Sequence, residues 1–411
     1  MPQRERCVSE TLKRDATRNT EGKSEILSAA GFGLVLALCT VPTHSREDIM
    51  SVESSGAFRG LRVLRAATGM VKSRVFGRHQ PLWVNIEPSH RCNLECTYCD
   101  KAGDHGPEMT TAQLLQLIDE LAALGTLSIC FDGGEPLVHR GITEALKRAK
   151  QHGMRTSLST NGILIPRREE AMRHVDVVKV SIDGPPDIHD AGRGARSYDK
   201  ALVGIRHAIG LGIEVSLRMT LARHNVTSYR HVLELATSLG VKALFQPAIG
   251  SLMDASETPD AESPDAVAYR QVMAELQAAK IEGEPVGNEH VCIDHLAKFP
   301  EPVPVSFCAG GRVEVAIGPD GGMFPCGRVG RGPQAPNVFE LGAAAAFERV
   351  LRPTDCANCW CTLTLGNCYA YDFSPRLLEG RLFPPRKLAI SPPKRTLAPP
   401  AAAPRRRLPL V

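Results

Sequence analysis

From Trp83 to Gln246 the chain repeats one pattern: a short run of apolar and β-branched residues, then a longer segment with apolar residues every three or four positions. The strand candidates are Trp83–Glu87, Thr126–Asp132, Thr156–Thr160, Val177–Asp183, Glu214–Leu221 and Val241–Gln246. Each is rich in Val, Ile, Leu, Ser or Thr, as suits strands covered on both faces. Helix candidates lie between them near Thr111–Leu124, Gly141–His152, Arg168–His174, Ser197–Leu211 and Ser228–Leu239. Thr110 and Thr111 are good caps ahead of Leu114, Leu117, Ile118 and Leu121. Such alternation predicts a parallel α/β sheet, and six repeats fall two short of a closed eightfold barrel.

A chain of 411 residues suits two domains with appendages. Its net charge of +4 gives no sign of a specific nucleic-acid partner. Thirteen cysteines is an odd number, and most stand in short-spaced groups, which read as metal ligands rather than a disulfide framework. The first group is Cys92-Asn93-Leu94-Glu95-Cys96-Thr97-Tyr98-Cys99, three thiols on one loop with an aromatic before the last. Cubane iron–sulfur clusters usually have four cysteine ligands, so three leave one iron open for substrate or cofactor. A structural zinc site is the competing reading, but His90 and His105 lack the spacing to complete one.

The loop resembles the CxxxCxΦC signature of the radical S-adenosylmethionine (SAM) enzymes, with Tyr98 as the aromatic. That resemblance implies a 4Fe–4S cluster on Cys92, Cys96 and Cys99, with SAM on the open iron and Tyr98 near the adenine. It implies a partial (β/α)6 TIM-like barrel, and the count of six repeats agrees. The site is then expected at the C-terminal ends of the strands. Gly133-Gly134-Glu135-Pro136 looks like the family's GGEP, whose glycines let the backbone approach the SAM methionyl group, with Glu135 in support. Ser159-Thr160-Asn161-Gly162, Ser181-Ile182-Asp183-Gly184, His189-Asp190 and Arg193-Gly194 resemble its TNG and SxDG…HD..RG stretches. By resemblance Ser159, Asn161 and Ser181 are candidates for polar SAM contacts, and Arg218 for its carboxylate. No GxIxGxxE-type adenine motif and no cobalamin-binding module is present in the sequence.

A second array follows a helical connection over 251–307. Cys308 and Cys326 flank two short apolar runs joined by Gly318-Pro319-Asp320-Gly321-Gly322, a hairpin signal that brings both thiols together. Cys356-Ala357-Asn358-Cys359 adds a C-x2-C pair. The set resembles the single-cluster (twitch) form of the SPASM extension and implies one auxiliary 4Fe–4S cluster on Cys308, Cys326, Cys356 and Cys359, over 308–383. Cys361 and Cys368 depart from that pattern, and a zinc ribbon is the alternative. Cys7, Cys39, Cys130 and Cys292 stand alone and read as small buried hydrophobes.

Residues 1–50 read as disordered or as a non-native extension, with the functional start near Met50. The apolar run Ile26–Val41 is short for a membrane span. Over 51–81, Phe58–Phe76 has Leu61, Leu64, Met70, Val71 and Val75 at helical spacing among basic residues. It reads as a helix packed on the barrel base, ahead of the alternative, contact with a membrane surface. The core is then 82–250, and 384–411 is a Pro-rich basic tail without acids.

The resulting expectation is a cytoplasmic enzyme, since iron thiolates need a reducing compartment. It would cleave SAM reductively to a 5′-deoxyadenosyl radical and abstract a substrate hydrogen. Net two-electron oxidation or bond formation on a peptide or small metabolite would follow, with an electron donor such as flavodoxin or ferredoxin. A non-enzymatic zinc-binding interaction module is the alternative. Neither the substrate nor a proton-handling residue can be read from the sequence.

Overall fold

The computed structural model describes residues 56–99, 106–249, 261–329, 331–353 and 359–379. The 1–50 extension, the 384–411 tail, Cys7, Cys39, His105 and Cys356 lie outside them. Six parallel strands follow the expected order: β1 (Trp83–Ile86), β2 (Ser128–Phe131), β3 (Arg155–Thr160), β4 (Val177–Ser181), β5 (Glu214–Leu221) and β6 (Lys242–Pro247). The helices between them include Thr111–Ala123, Ile142–Gln151, Ser197–Gly210 and Tyr229–Leu239. Thr110 caps the first: its hydroxyl accepts from Gln113 N while the Gln113 side chain accepts from Thr110 N. The expected helix over Arg168–His174 is shorter, a 3-10 turn at Ile165–Arg168 running into Glu169–Met172.

Among the described residues the strands form one sheet, in the order β6-β5-β4-β3-β2-β1-β7-β8. β7 (Glu314–Ile317) and β8 (Met323–Phe324) form the Asp-Gly hairpin. The sequence placed this hairpin in a unit apart from the barrel. Instead β7 runs parallel beside β1, pairing Trp83 with Glu314 and Ile86 with Ile317. Its four residues are all buried, so the strand gains cover on both faces by joining the barrel sheet.

Strand alternation separates two environments. Ile129, Phe131, Leu158, Val178, Val180, Leu217, Met219 and Phe245 are fully buried and belong to one core cluster with Leu114, Ile118, Ile205 and Leu233 of the helices. The alternate positions, among them Asn85, Cys130, Ser159, Lys179, Ser181, Arg218 and Gln246, are only half-buried and share the other, inner face. Helix Thr362–Tyr371 bridges β6 and β7. The Thr362 hydroxyl donates to Phe245 O at 3.1 Å, and Thr364 and Asn367 each donate to the Glu314 carboxylate at 2.7 Å.

The N-terminal helix, Gly56–Phe76, presents an unexpected face. Leu61 and Leu64 are 45% exposed, whereas Ala67, Met70 and Ser73 are buried. Met70 packs with Leu82, Ala309, Val313, Cys368 and Tyr371, and the Ser73 hydroxyl meets Tyr371 Oη at 3.0 Å. The helix therefore rests on the cysteine-rich C-terminal segment as well as on the entry to β1. Close approach selects this face: a Cβ at Gly69 would stand 2.9 Å from the Leu82 side chain. Among the described residues no helix is long and apolar enough to cross a membrane.

The ends of β2 and β3 are tied by Glu135, 1% exposed. Its carboxylate accepts from Thr160 Oγ1 at 2.8 and 2.9 Å, from Asn161 N at 2.9 Å and from Leu137 N at 3.1 Å.

Two stability measurements check this architecture. Met70→Ala should lower stability by about 2–4 kcal/mol, and Leu64→Ala by less than about 0.5 kcal/mol, in denaturant titration; equal effects would place the packed face wrongly. Burial raises the Glu135 pKa from 4.5 to about 7, against the hydrogen bonds from Asn161, Thr160 and Leu137. The folded state thus holds a proton that the unfolded chain has released, so stability falls as pH rises between these values. The stability difference between wild type and Glu135→Gln should shrink across that window and level off above it.

Candidate active site

The cysteine loop hangs from the C-terminal ends of three strands. After β2, Gly134 N donates to Ser89 O at 3.0 Å and Glu135 N to Arg91 O at 2.9 Å. A Cβ on Gly133 would sit 2.6 Å from Ser89 O, and one on Gly134 would collide with the His90 and Arg91 carbonyls. These glycines, expected to admit the SAM methionyl group, are required by the approach of the chain leading into Cys92. Glu135, expected beside SAM, has its carboxylate occupied by the protein. After β3, Asn161 Nδ2 donates to Asn93 Oδ1 at 2.8 Å. After β4, Gly192 O accepts from Thr97 N at 2.9 Å. Three elements distant in sequence thus fix the loop at four points.

Within the loop Cys92 is exposed, and Cys96 and Cys99 are half-buried. Burial raises the pKa of the Cys96 thiol against the pull of the Arg193 cation, and Cys99 and Asp183 add to the rise. Such thiols lose their protons when a metal centre supplies compensating charge. A cleft of about 520 Å³ opens here, lined by Cys92, Asn93, Leu94 and Glu95 on one side and Arg193, Gly194 and Ala195 on the other.

Tyr98 is anchored. Its hydroxyl donates to Asp183 Oδ2 at 2.6 Å, and the same carboxylate oxygen accepts from Arg193 Nε at 2.5 Å. Asp183 is wholly buried. Burial opposes its charge, but Arg193 and Tyr98 prevail and hold the carboxyl below its usual range. Arg193 reaches onward to Cys96 Sγ at 4.0 Å. His189 Nδ1 accepts from Asp183 N at 3.2 Å; burial, with Arg193 nearby, lowers its pKa to about 4, so its ring is neutral at pH 7.

Below the loop lies the polar inner face. Lys179 Nζ donates to Cys130 Sγ at 3.5 Å, and Cys130 Sγ meets Ser159 Oγ at 3.9 Å. Cys130 is therefore no buried hydrophobe, as its isolation in the sequence suggested, because strand register turns it inward. Cys292 is buried at 2%. Arg218 stands level with Ser181, and its buried Nη2 has no hydrogen-bond partner among the described residues. Neither Lys179 nor Arg218 has a carboxylate partner among them. At the rim, Arg331 from the loop after β8 forms a buried ion pair with Glu87, which also meets His90 Nε2 at 3.0 Å. Nothing in the sequence marked Glu87 or Arg331, which meet across 244 residues.

The second cysteine set gathers beside β7 and β8. Cys308, Cys326, Cys359 and Cys361 line one small cavity. Cys308 and Cys359 stand close enough to Cys368 to shift its thiol, and Cys368 Sγ accepts from Ala309 N at 3.4 Å. Burial pushes Cys326 up to about 12. Cys368, outside the expected set, enters because helix Thr362–Tyr371 carries it back to the hairpin; only its place two helical turns after Cys361 could have signalled this. Among the described residues no three His, Cys, Asp or Glu side chains converge tightly enough for a single metal ion. The donors suit thiolate-ligated clusters: the second set has cysteine sulfurs with the backbone N–H groups of Ala309 and Gly310 aimed at them, and the first loop has a cation, Arg193, beside Cys96.

Comparison with known proteins agrees with this chemistry. The profile of the Radical SAM superfamily matches residues 86–236. The Fe-coproporphyrin III synthase of Methanosarcina barkeri is 36% identical over 154 residues, 36% of this chain and 39% of that protein. The PqqA peptide cyclase of Ruegeria pomeroyi is 30% identical over 259 residues, 60% of this chain and 67% of the relative. The solved structure of native anSMEcpe with bound AdoMet superposes with a TM-score of 0.53 at 20% identity, over 65% of this chain and 81% of that one, and shares the fold. With the cysteine loop held at the strand ends of a partial barrel of parallel strands, these matches make the chain a member of the radical SAM superfamily.

Proposed function

We propose that this protein is a radical SAM oxidoreductase that oxidises a peptide or small metabolite by two electrons, by dehydrogenation or bond formation. The observation that carries the reading is three thiols suspended over a polar barrel interior, with a second thiol set on the same sheet. Cys92, Cys96 and Cys99 would hold the SAM-binding 4Fe–4S cluster. Bound SAM supplies the 5′-deoxyadenosyl radical that removes a substrate hydrogen atom. The chain's own part is to fix Tyr98 through Asp183, to present Ser159, Ser181 and Arg218 to polar SAM groups, and to admit substrate to the inner face beside Lys179 and Cys130. The PqqA peptide cyclase match supports a peptide.

Cys308, Cys326, Cys359 and Cys368 would close an auxiliary 4Fe–4S cluster, with Cys356 and Cys361 adjacent in sequence. A cluster with four thiolate ligands has no open iron, so it suits passage of the second electron out of a substrate radical better than substrate binding. A small flavin or iron–sulfur protein, such as flavodoxin or ferredoxin, would supply the initiating electron. A cytosolic location fits the reduced thiols both sites require.

Replacing Cys92, Cys96 and Cys99 together by Ala should abolish 5′-deoxyadenosine formation and leave the auxiliary iron; continued formation would refute the central assignment. Cys359→Ala with Cys368→Ala should lower iron from about eight to about four atoms per chain. This variant should still release 5′-deoxyadenosine but make no oxidised product. Normal turnover by the double variant would exclude electron transfer through that centre.

A further inference from the structure

The sequence HD..RG stretch holds one residue that SAM and substrate binding leave without a role. Arg193 ends helix Pro186–Arg193, where Gly194 at φ +116° breaks the helix. Arg193 is buried, at 8% exposure. Nε is bonded to Asp183 Oδ2 at 2.5 Å, and Nη1 lies 4.0 Å from Cys96 Sγ. The Tyr98 ring lies 5.4 Å from the guanidinium carbon and closes another side. Asp183 cannot swing away, because Tyr98 Oη and Thr220 N donate to it as well, at 2.6 and 3.3 Å. One cation is therefore locked against one cysteine of the loop, with its counter-charge fixed on the far side.

We propose that Arg193, oriented by Asp183, sets the reduction potential of the cluster carried by Cys92, Cys96 and Cys99. The inference rests on the reading that these cysteines hold a 4Fe–4S cluster. Reduction adds one electron from the external donor, [4Fe–4S]2+ to [4Fe–4S]+, and breaks no bond in the protein. The added negative charge is stabilised by a nearby cation and opposed by a nearby anion. Arg193 Nη1 lies 4.0 Å from the Cys96 sulfur while Asp183 is bonded at Nε, so the pair presents its positive end to the cluster. Burial keeps the interaction from being screened by salt. Arg193 is a positioning and tuning residue, since it reaches the cluster through Cys96.

The two charges give the test its signs. Full-length protein with reconstituted clusters, without SAM, is titrated potentiometrically and followed by electron paramagnetic resonance. The relevant signal is the one absent from Cys92→Ala. Arg193→Gln should shift its midpoint to more negative potential. Asp183→Asn keeps an acceptor for Arg193 and removes the counter-charge, so the midpoint should shift positive. Arg193→Lys should stay near wild type. If Arg193→Gln fails to retain iron, the positive shift in Asp183→Asn still decides the matter. Unchanged midpoints, or shifts of the same sign in Arg193→Gln and Asp183→Asn, overturn the proposal while leaving the cluster assignment standing. No Cys92-dependent signal in wild type would overturn the cluster assignment itself.

Discussion

Two buried carboxylates hold the active-site end of this protein in place. Glu135 collects donors from the turns after β2 and β3, and Asp183 collects Arg193, Tyr98 and a backbone N–H from β5. A loop carrying three thiols has no regular structure of its own to fix it. Its backbone and side chains must be satisfied from outside, and strand ends are where such partners gather. Removing either carboxylate would leave several buried donors without acceptors at once, each costing about 1–3 kcal/mol. The cysteine loop, the adjacent cleft and Tyr98 all depend on these anchors.

The opposite faces of the strands explain how a stable shell surrounds a reactive interior. Residues pointing toward the helices are apolar and fully buried, and supply the burial that holds the shell together. Residues pointing inward include Lys179, Arg218, Ser159 and Cys130, which a close-packed core would exclude. The inner face is tolerable because the sheet stays open, with β7 added at one side and helix Thr362–Tyr371 spanning from β6 to β7. That helix also brings Cys368 to the second thiol set. Spanning the open side of the sheet and gathering the C-terminal cysteines are thus the work of one helix, and the N-terminal helix rests on the result through Met70.

The geometry also relates the two cysteine sets. Arg331, from the loop after β8, is locked to Glu87 at the end of β1, five residues before Cys92. The hairpin that carries Cys308 and Cys326 at its ends is hydrogen-bonded to β1 itself. The two thiol sets therefore share one continuous framework of strands and a buried ion pair.

Much of this was legible in the sequence, because local patterns have local causes. Short apolar and β-branched runs marked the six strands, 3.6-residue apolar repeats marked most helices, and Asp320-Gly321 marked the hairpin. The spacing of Cys92, Cys96 and Cys99 marked the chemistry. Only tertiary structure decided which partners these elements take. Gly133 and Gly134 meet the chain before Cys92, Glu135 grips the turn after β3, and Cys130 faces Lys179 through strand register. Cys368 lies beside Cys308, 60 residues earlier in the chain, and Arg331 finds Glu87 across 244 residues. Spacing along a chain fixes which residues share a turn or a strand face. Which distant hydroxyl, carboxylate or thiol then lies within hydrogen-bonding reach depends on how the sheet curls and what closes it, and no local pattern encodes that.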